Sequence, residues 1–340
     1  MRIGLYGMPT AGKTYILEKV DSIEVMAGSV LLREICPSFD LEDDYGKNMA
    51  REELAKRLLC VDSFIMDGHY AFGDKVAFTD MDGQLYDVIL YLYISPDVLI
   101  KRMRESYKNK KYLSYDIEKW QINEIERLRD YCHKNNKDFY VIDNPKDNFF
   151  TDVTEVVKFI NAIVNGFSCK RFAADCAEKI LNCTDSEEIT LLDGDKTITK
   201  EDSSHAVFGY TTHIYDGNFY TGFQSWRQAE EFKTYCFDDL KELPVGLNEK
   251  VCKVLNMDSF ILTSGHERVW NFISDYLGVL YFAGVEMSAE TKFFITKKLQ
   301  EAGKTVIAYG DGMNDYYMPV SYTHLRPTRP RLISYAVFCL

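Results

Sequence analysis

Short apolar runs alternate, along the first half of the chain, with longer segments in which apolar residues recur at helical spacing. The apolar runs cover residues 2–6, 63–66, 88–94 and 139–142. The helical segments cover residues 15–20, 49–60, 117–135 and 152–164. Strands that alternate with helices are typical of a parallel sheet, because each parallel connection needs a crossover of helical length. The pattern therefore predicts an α/β unit in this half.

The second half repeats the alternation after a stop signal. Asn165 and Gly166 follow the last helical segment of the first half, and such a pair commonly ends a helix. A new helical segment covers residues 169–181, and apolar runs cover residues 189–192, 260–262 and 306–309. The pattern predicts two doubly wound parallel-sheet domains, residues 1–165 and 166–320. An aromatic-rich insert over about residues 198–258 would form a cap on the second domain.

Length and charge favour a two-domain protein and disfavour a nucleic-acid partner. A chain of 340 residues exceeds what one hydrophobic core comfortably holds, which agrees with two domains. The formal net charge of −12 disfavours a nucleic-acid partner, since affinity for that backbone rests on clustered Lys and Arg. No apolar run is long enough to span a bilayer, and the N-terminal residues lack the apolar core of a signal peptide. We expect a cytoplasmic protein without a membrane partner, and the oligomeric state stays open.

A phosphate-binding pattern follows the first strand. Residues 7–14 read G-M-P-T-A-G-K-T, which is the full G-x-x-x-x-G-K-T motif between a strand and a helical segment. Gly7 and Gly12 allow backbone N–H groups to turn onto phosphate oxygens, and the helix N-terminus adds partial positive charge. Lys13 would contact the β and γ phosphates, and the Thr14 hydroxyl would bind magnesium. The motif predicts that the chain binds ATP, or another NTP, with Mg²⁺.

Residues 1–150 resemble the adenylate-kinase-like P-loop kinases beyond this loop. Residues 63–70, S-F-I-M-D-G-H-Y, are similar to the family's strand that ends in Asp-Gly. The resemblance implies that Asp67 is a catalytic residue near the substrate and the waters of magnesium, and a turn-capping aspartate is the alternative. His69 departs from the family's continuation, which puts an AMP-type substrate in doubt.

The basic residues of the kinase family are only partly matched. Residues 95–102, S-P-D-V-L-I-K-R, are similar to the helix before the kinase lid, which implies that Arg102 faces the nucleotide phosphates. Ser106 stands where the family has a second lid arginine, so residues 102–111 are either a lid or a solvated loop. Arg33 is either an anion clamp on a substrate-side helix or an exposed arginine. Three other arginines could replace the missing one: Arg104, Arg127 and Arg129.

A second motif lies at the end of the first predicted strand of the second domain. Residues 191–197, L-L-D-G-D-K-T, place two carboxylates two positions apart at the end of a strand. Asp193 can attack phosphorus, and Asp195 can protonate the leaving alcohol and then activate water. Magnesium is needed because the nucleophile and the phosphate are both anionic.

Three further elements follow in order. Ser264 ends a second strand, Lys292 lies at a helix start, and residues 307–315, I-A-Y-G-D-G-M-N-D, end a third strand in carboxylates. Together with Asp193 they resemble the haloacid dehalogenase superfamily, in its phosphoserine-phosphatase-like branch, over about residues 185–319. The resemblance implies that Ser264 and Lys292 bind phosphate. It also implies a magnesium site whose expected ligands are Asp193, Asp195, Asp311 and Asp315.

The last twenty residues differ in composition from the rest. Residues 321–340 contain no acidic residue and place Pro327 and Pro330 among three arginines. They resemble the translated read-through of a sequencing adaptor, which would be a non-native tail that replaces the natural C-terminus near Pro319. A genuine basic tail is the alternative. In either case we expect that the prolines prevent this segment from completing the second sheet.

The two resemblances imply a bifunctional enzyme. One domain would be an ATP-dependent kinase for a small molecule or nucleotide, and the other a Mg²⁺-dependent phosphomonoester phosphatase with an aspartyl-phosphate intermediate. The expected partner is a small phosphorylated metabolite or a nucleotide. Two alternatives remain: a polynucleotide kinase/phosphatase, and a nucleotide-binding domain without catalysis that regulates the phosphatase.

Overall fold

The computed structural model describes residues 1–143, 153–209, 219–235, 239–315 and 318. The chain divides into two compact units, Met1–Phe167 and Ser168–Leu340, and each is described by itself. The expectation for residues 321–340 lies outside the described residues, as does most of the aromatic part of the insert.

The first unit has a parallel sheet with helices in its connections. Its strands are β1 Arg2–Tyr6, β2 Val25–Met26, β3 Phe64–Asp67, β4 Ala71–Phe72, β5 Lys75–Val76, β6 Val88–Leu92 and β7 Asp138–Ile142. Its helices are α1 Lys13–Leu17, α2 Gly28–Ile35, α3 Asp44–Leu58, α4 Asp80–Leu85, α5 Pro96–Glu105, α6 Ile117–Lys134 and α7 Thr154–Val164. The main sheet has the order β2-β3-β1-β6-β7, and β4 and β5 form a separate antiparallel pair.

Burial explains the central position of β1 and β6. All five residues of β6 and the last four of β1 are buried, as expected of strands covered on both faces. Leu5 pairs with Asp67 on one side and with Leu90 on the other. The chain segments that follow β1, β3 and β6 therefore leave the sheet at the same edge, where ligands bind in parallel α/β folds.

The second unit has a second parallel sheet. Its strands are β8 Glu188–Asp193, β9 Ser259–Leu262, β10 Tyr281–Phe282 and β11 Thr305–Tyr309, in the order β10-β9-β8-β11. Its helices are α8 Cys169–Cys183, α9 Ser203–Phe208, α10 Gly222–Phe232, α11 Glu249–Cys252, α12 Glu267–Leu277 and α13 Ala289–Glu301.

Helices cover both faces of this second sheet. Leu191 belongs to a core cluster with residues of α8 and α13, including Ile180 and Phe294. Leu192, the next residue of β8, belongs to another cluster that includes Trp270 of α12. Because successive side chains of a strand point to opposite faces, the two clusters lie on opposite sides of the sheet.

The two ends of the insert between β8 and β9 pair with each other through backbone hydrogen bonds. Thr199 forms an antiparallel bridge with Leu247. The Lys200 N–H donates to the Gly246 carbonyl at 2.8 Å, and the Asn248 N–H donates to the Ile198 carbonyl at 2.8 Å. Helices α9 and α10 lie within the insert. This neck fixes where the insert begins and ends relative to the end of β8.

The expectation of α/β units with parallel sheets is confirmed. Strands β1, β3, β6, β7, β8, β9 and β11 fall on the apolar runs of the sequence, with ends that differ by at most two residues. The sequence did not reveal β2, β10 or the β4–β5 hairpin, because two-residue strands carry no periodicity. Within the described ranges, no helix combines the length and apolar character that a membrane span requires.

We predict that core mutations in the two sheets act separately. Leu5→Ala and Leu191→Ala each empty a fully buried position in a central strand and should cost their own unit about 2–5 kcal/mol. Hydrogen-exchange mass spectrometry of the full chain checks this. Leu5→Ala should speed exchange in β1 and β6 but not in β8, and Leu191→Ala should do the reverse. Equal acceleration of both sheets by either variant would contradict the division.

Candidate active sites

The glycine loop between β1 and α1, which the sequence predicts to bind phosphate, has unusual backbone geometry. Gly7 has φ 153°, Thr10 has φ 67° and Gly12, the N-cap of α1, has φ 100°. A side chain at Gly7 would also place a Cβ 3.0 Å from the Leu92 carbonyl oxygen of β6. Glycine is therefore required at both ends of the loop, and the loop N–H groups can point toward an anion.

Lys13 lies inside this loop. It is buried, and its Nζ donates to the carbonyl oxygens of Gly7 at 2.6 Å and Met8 at 3.2 Å. The Nδ1 atom of His69 lies 3.5 Å from the same amine. Burial lowers the pKa of Lys13 to about 8, although the charges of Asp67 and Glu124 oppose this shift. A poorly solvated ammonium gains more from a bound phosphate than an exposed one does.

Four other residues expected in the kinase site take different positions. The Nη1 atom of Arg102 donates to the carbonyl oxygens of Thr10, at 3.1 Å, and Ala11, at 3.4 Å, so this arginine borders the loop. Thr14 is exposed in the first turn of α1, and Asp67 ends β3 beside Leu5. Arg33 lies on α2, where it forms an exposed ion pair with Asp40 at 3.0 Å.

Glu124 of α6 is a buried carboxylate that sequence reasoning missed. Its Oε1 atom accepts from the Ala71 N–H at 3.1 Å and from the Trp120 indole at 2.9 Å, and Oε2 accepts from the Tyr91 hydroxyl at 2.7 Å. Burial raises the pKa of Glu124, and the charge of Lys13 acts against that rise. No motif marks this residue, because a glutamate within a helical pattern is usually exposed.

Three carboxylates meet at the end of β8 in the second unit. Oxygen atoms of Asp193, Asp311 and Asp315 all lie within 4.8 Å of one another. Asp193 ends β8. Asp311 lies in the turn after β11, the strand that pairs with β8, and Asp315 ends the short 3-10 helix that follows this turn. Hard oxygen donors at this spacing suit Mg²⁺, which binds one or two carboxylates and keeps several waters. The donor set therefore fits the expected ion.

Lys292 compensates the charge of this cluster. Its Nζ donates to Asp193 Oδ1 at 2.5 Å and to Asp315 Oδ1 at 2.7 Å. Burial disfavours the charge of Lys292, but the two carboxylates outweigh burial and raise its pKa above the usual range. Burial, and then the charge of Asp315, raise the pKa of Asp193, whereas Lys292 lowers it. Lys292 lies in the first turn of α13, which begins at Ala289.

Asp195 stands apart from the three carboxylates. Its Oδ1 atom accepts from the Ser203 N–H at 2.7 Å, and Oδ2 accepts from the Trp270 indole N–H at 3.3 Å. Burial, and then the nearby charge of Asp202, raise its pKa to about 6. The carboxylate group with metal-binding spacing contains Asp193, Asp311 and Asp315 but not Asp195. Asp195 can therefore exchange a proton near neutral pH.

Ser264, the remaining expected phosphate ligand, lies at the same edge of the second sheet as Asp193. Asp193 pairs in register with Leu262, and Ser264 follows two residues later. Among the described residues, Ser203 and Trp270 bond Asp195, and sequence reasoning missed both. The Ser203 contact uses a backbone N–H, which any non-proline residue at that position could supply, and the Trp270 contact joins residues 75 positions apart.

Among solved structures, three shikimate kinases match about half of this chain, with low sequence identity and low TM-scores. The shikimate kinase from Acinetobacter baumannii, in complex with shikimate, is 16% identical with a TM-score of 0.33, and the match covers 49% of this chain and 95% of that chain. The shikimate kinase from Bacteroides thetaiotaomicron is 15% identical with a TM-score of 0.35, over 48% and 98% of the two chains. The shikimate kinase from Aquifex aeolicus is 17% identical with a TM-score of 0.29, over 49% and 100%.

Identities and TM-scores this low assign neither an activity nor a substrate to this chain. The chain matches none of the models of known protein families. It also matches no curated protein.

We predict that magnesium stabilises the second unit through the carboxylate cluster. At about one hundred times Kd, a ligand of the folded state adds about 2.7 kcal/mol, which corresponds to a Tm increase of roughly 5–10 °C for a unit of this size. Asp311→Asn should remove most of that increase, because it removes one charged oxygen donor. Asp275→Asn, an exposed aspartate on α12, is the matched control and should keep it. A full increase in Asp311→Asn would place the ion elsewhere.

We predict a pH-dependent loss of stability at Asp195 in metal-free buffer. The folded-state pKa of about 6 lies above the ordinary value of 3.8. The protonated form of Asp195 therefore stabilises the folded state. This contribution is complete below about pH 4 and is lost as the pH rises through about 6. The loss should reach about 3 kcal/mol. Urea unfolding with EDTA over this range should show a decline in the wild type that exceeds the decline in Asp195→Asn by about this amount, because Asp193, whose pKa is also raised, titrates in both proteins. Parallel profiles would show that burial does not shift this carboxyl group.

Proposed function

We propose that this chain is a bifunctional phosphoryl-transfer enzyme. The first unit is an ATP-dependent kinase for a small molecule or nucleotide, and the second is a Mg²⁺-dependent, haloacid-dehalogenase-like phosphatase for phosphate monoesters. The observation that carries the proposal is Lys292, whose buried ammonium bonds both Asp193 and Asp315 at the end of β8. A lysine between a nucleophile and an acidic cluster suits the binding of a phosphate dianion.

The kinase reaction rests on the loop after β1. Lys13 stabilises the charge of the transferring γ-phosphoryl group, and the loop N–H groups hold the other phosphates. Arg102 adds positive charge at the loop, and Thr14 would bind the magnesium that accompanies ATP. Asp67, at the end of the neighbouring strand, accepts the proton of the attacking hydroxyl group. The burial of Lys13 inside the loop and the position of Asp67 at the end of the strand next to β1 support this proposal.

The phosphatase reaction has two half-reactions. First, a carboxylate oxygen of Asp193 bonds to phosphorus while the bond from phosphorus to the ester oxygen breaks, and Asp195 gives its proton to that oxygen. Then Asp195 takes a proton from water, the water oxygen bonds to phosphorus, and the bond to Asp193 breaks. Lys292 and Ser264 hold the phosphoryl oxygens in both steps. Magnesium held by Asp193, Asp311 and Asp315 would offset the negative charge that nucleophile and phosphate share.

A regulatory role for the first unit is the second candidate function. Its supporting observation is that both Lys13 and Arg102 donate to carbonyl groups of the loop itself. Such a loop can bind nucleotide without turning it over. Calorimetric ATP binding without ADP release, combined with a phosphatase rate that depends on nucleotide, would support this candidate. A polynucleotide substrate is disfavoured by the net charge of −12.

We predict that the two activities can be removed one at a time. Lys13→Ala should lower ADP release about a hundredfold or more, because it removes a charge that acts on the transferring phosphoryl group. It should leave phosphate release from monoesters nearly unchanged. Asp193→Asn should abolish phosphate release and spare ADP release. A coupled ADP assay with pooled hydroxyl acceptors and a molybdate assay with pooled phosphate monoesters measure the two.

The matched control for the first variant is Lys19→Ala, an exposed lysine just after α1. It should change neither activity. Loss of both activities in Lys13→Ala would argue for one shared site, and the absence of phosphate release from every monoester would reject the phosphatase assignment.

A further inference from the structure

Trp270 of α12 is wedged between two turns of the second unit. The residue is fully buried. A Cβ added at Gly194, in the turn after β8, would lie 2.4 Å from the indole Cζ2 atom. A Cβ added at Gly265, in the turn after β9, would lie 2.3 Å from the indole Nε1 atom. Both turns therefore carry glycine where the indole needs room.

The indole also reaches the carboxylate between these turns. Its N–H donates to Asp195 Oδ2 at 3.3 Å, while the Ser203 N–H donates to Oδ1 at 2.7 Å. The backbone donor cannot rotate away, so Oδ1 is the fixed acceptor. The indole therefore occupies one side of Oδ2, and together with the Ser203 N–H it fixes the orientation of the carboxyl group.

We propose that Trp270 is the positioning residue for Asp195 in phosphate-ester hydrolysis. The inference rests on the proposed phosphatase function. Trp270 does not touch the reacting atoms. It holds the carboxyl group so that the Oδ2–H bond breaks toward the ester oxygen as the bond from that oxygen to phosphorus breaks. In the second half-reaction it holds the same oxygen toward the water that loses a proton.

A purely structural role predicts something different. A buried aromatic ring between two turns needs volume, and phenylalanine would supply most of it. Tryptophan adds one donor, and buried indole N–H groups ordinarily have an acceptor. Here that acceptor is Asp195, the expected magnesium ligand that is not part of the metal-binding group. A variant that keeps an aromatic ring at position 270 but lacks the N–H donor therefore distinguishes a role in the reaction from a role in packing.

The experiment compares two aryl phosphates in Trp270→Phe. Phenolate is a poor leaving group and needs a proton from Asp195, whereas p-nitrophenolate leaves with little help. With Mg²⁺ present, kcat/KM for phenyl phosphate should fall about tenfold or more, and kcat/KM for p-nitrophenyl phosphate should fall less than about threefold. Ile273→Val, a buried neighbour on α12 that does not bond Asp195, is the control. It should lower both values equally or leave both unchanged.

The outcomes separate the inference from the function on which it rests. Equal losses on both esters in Trp270→Phe would overturn the positioning role and leave the phosphatase intact. No phosphate release by the wild type from these esters or from any of the pooled monoesters would reject the proposed function, and the inference with it.

A second measurement serves if Trp270→Phe does not fold. The chain has three tryptophans, so ¹⁵N-labelled indole groups give three N–H signals. Trp120→Phe and Trp226→Phe identify two of them, and the third belongs to Trp270. Asp195→Asn should shift this third signal most. An unchanged signal would show that the indole does not bond the carboxylate, which would overturn the proposal.

Discussion

The charge balance of two buried lysines governs both candidate sites. Lys13 and Lys292 each lie at the carboxyl edge of a parallel sheet, but they have different partners. Lys13 contacts carbonyl oxygens, which only partly replace water, and its pKa falls to about 8. Lys292 contacts two carboxylates, and its pKa rises. One lysine therefore lacks a full counter-charge and gains from an arriving polyphosphate, whereas the other keeps two carboxylates together in a buried place.

The fold and much of the motif geometry could be predicted because they depend on local signals. The apolar runs that became β1, β6 and β8 are buried on both faces, so their composition alone marks them. Glycines at Gly7 and Gly12 take positive φ, which few other residues tolerate, so the phosphate loop is visible in the sequence. Asp193 ends β8 and Asp311 follows β11, and the parallel pairing of these strands brings the two residues to one edge.

The residues that tune these sites could not be predicted, because their roles come from contacts distant in the chain. Glu124 lies in a helix and bonds Tyr91 and Ala71, which precede it by 33 and 53 positions. Trp270 bonds Asp195 from 75 positions away. A periodicity records only that such residues face inward. Which polar group they meet depends on how helices pack on a sheet, and no spacing in the sequence encodes that.

The two opposed activities that we propose for this chain would impose a thermodynamic condition. If the phosphatase removed the same phosphoryl group that the kinase adds, the sum of the two reactions would be hydrolysis of ATP to ADP and phosphate, with no net change in the substrate. The proposed bifunctional enzyme therefore needs either different substrates for its two sites or a signal that keeps one site silent. The insert between β8 and β9 is the element that can supply the first solution. Its neck at Thr199 and Leu247 begins six residues after Asp193, which ends β8, so under the proposed function the insert would be the element that selects the ester.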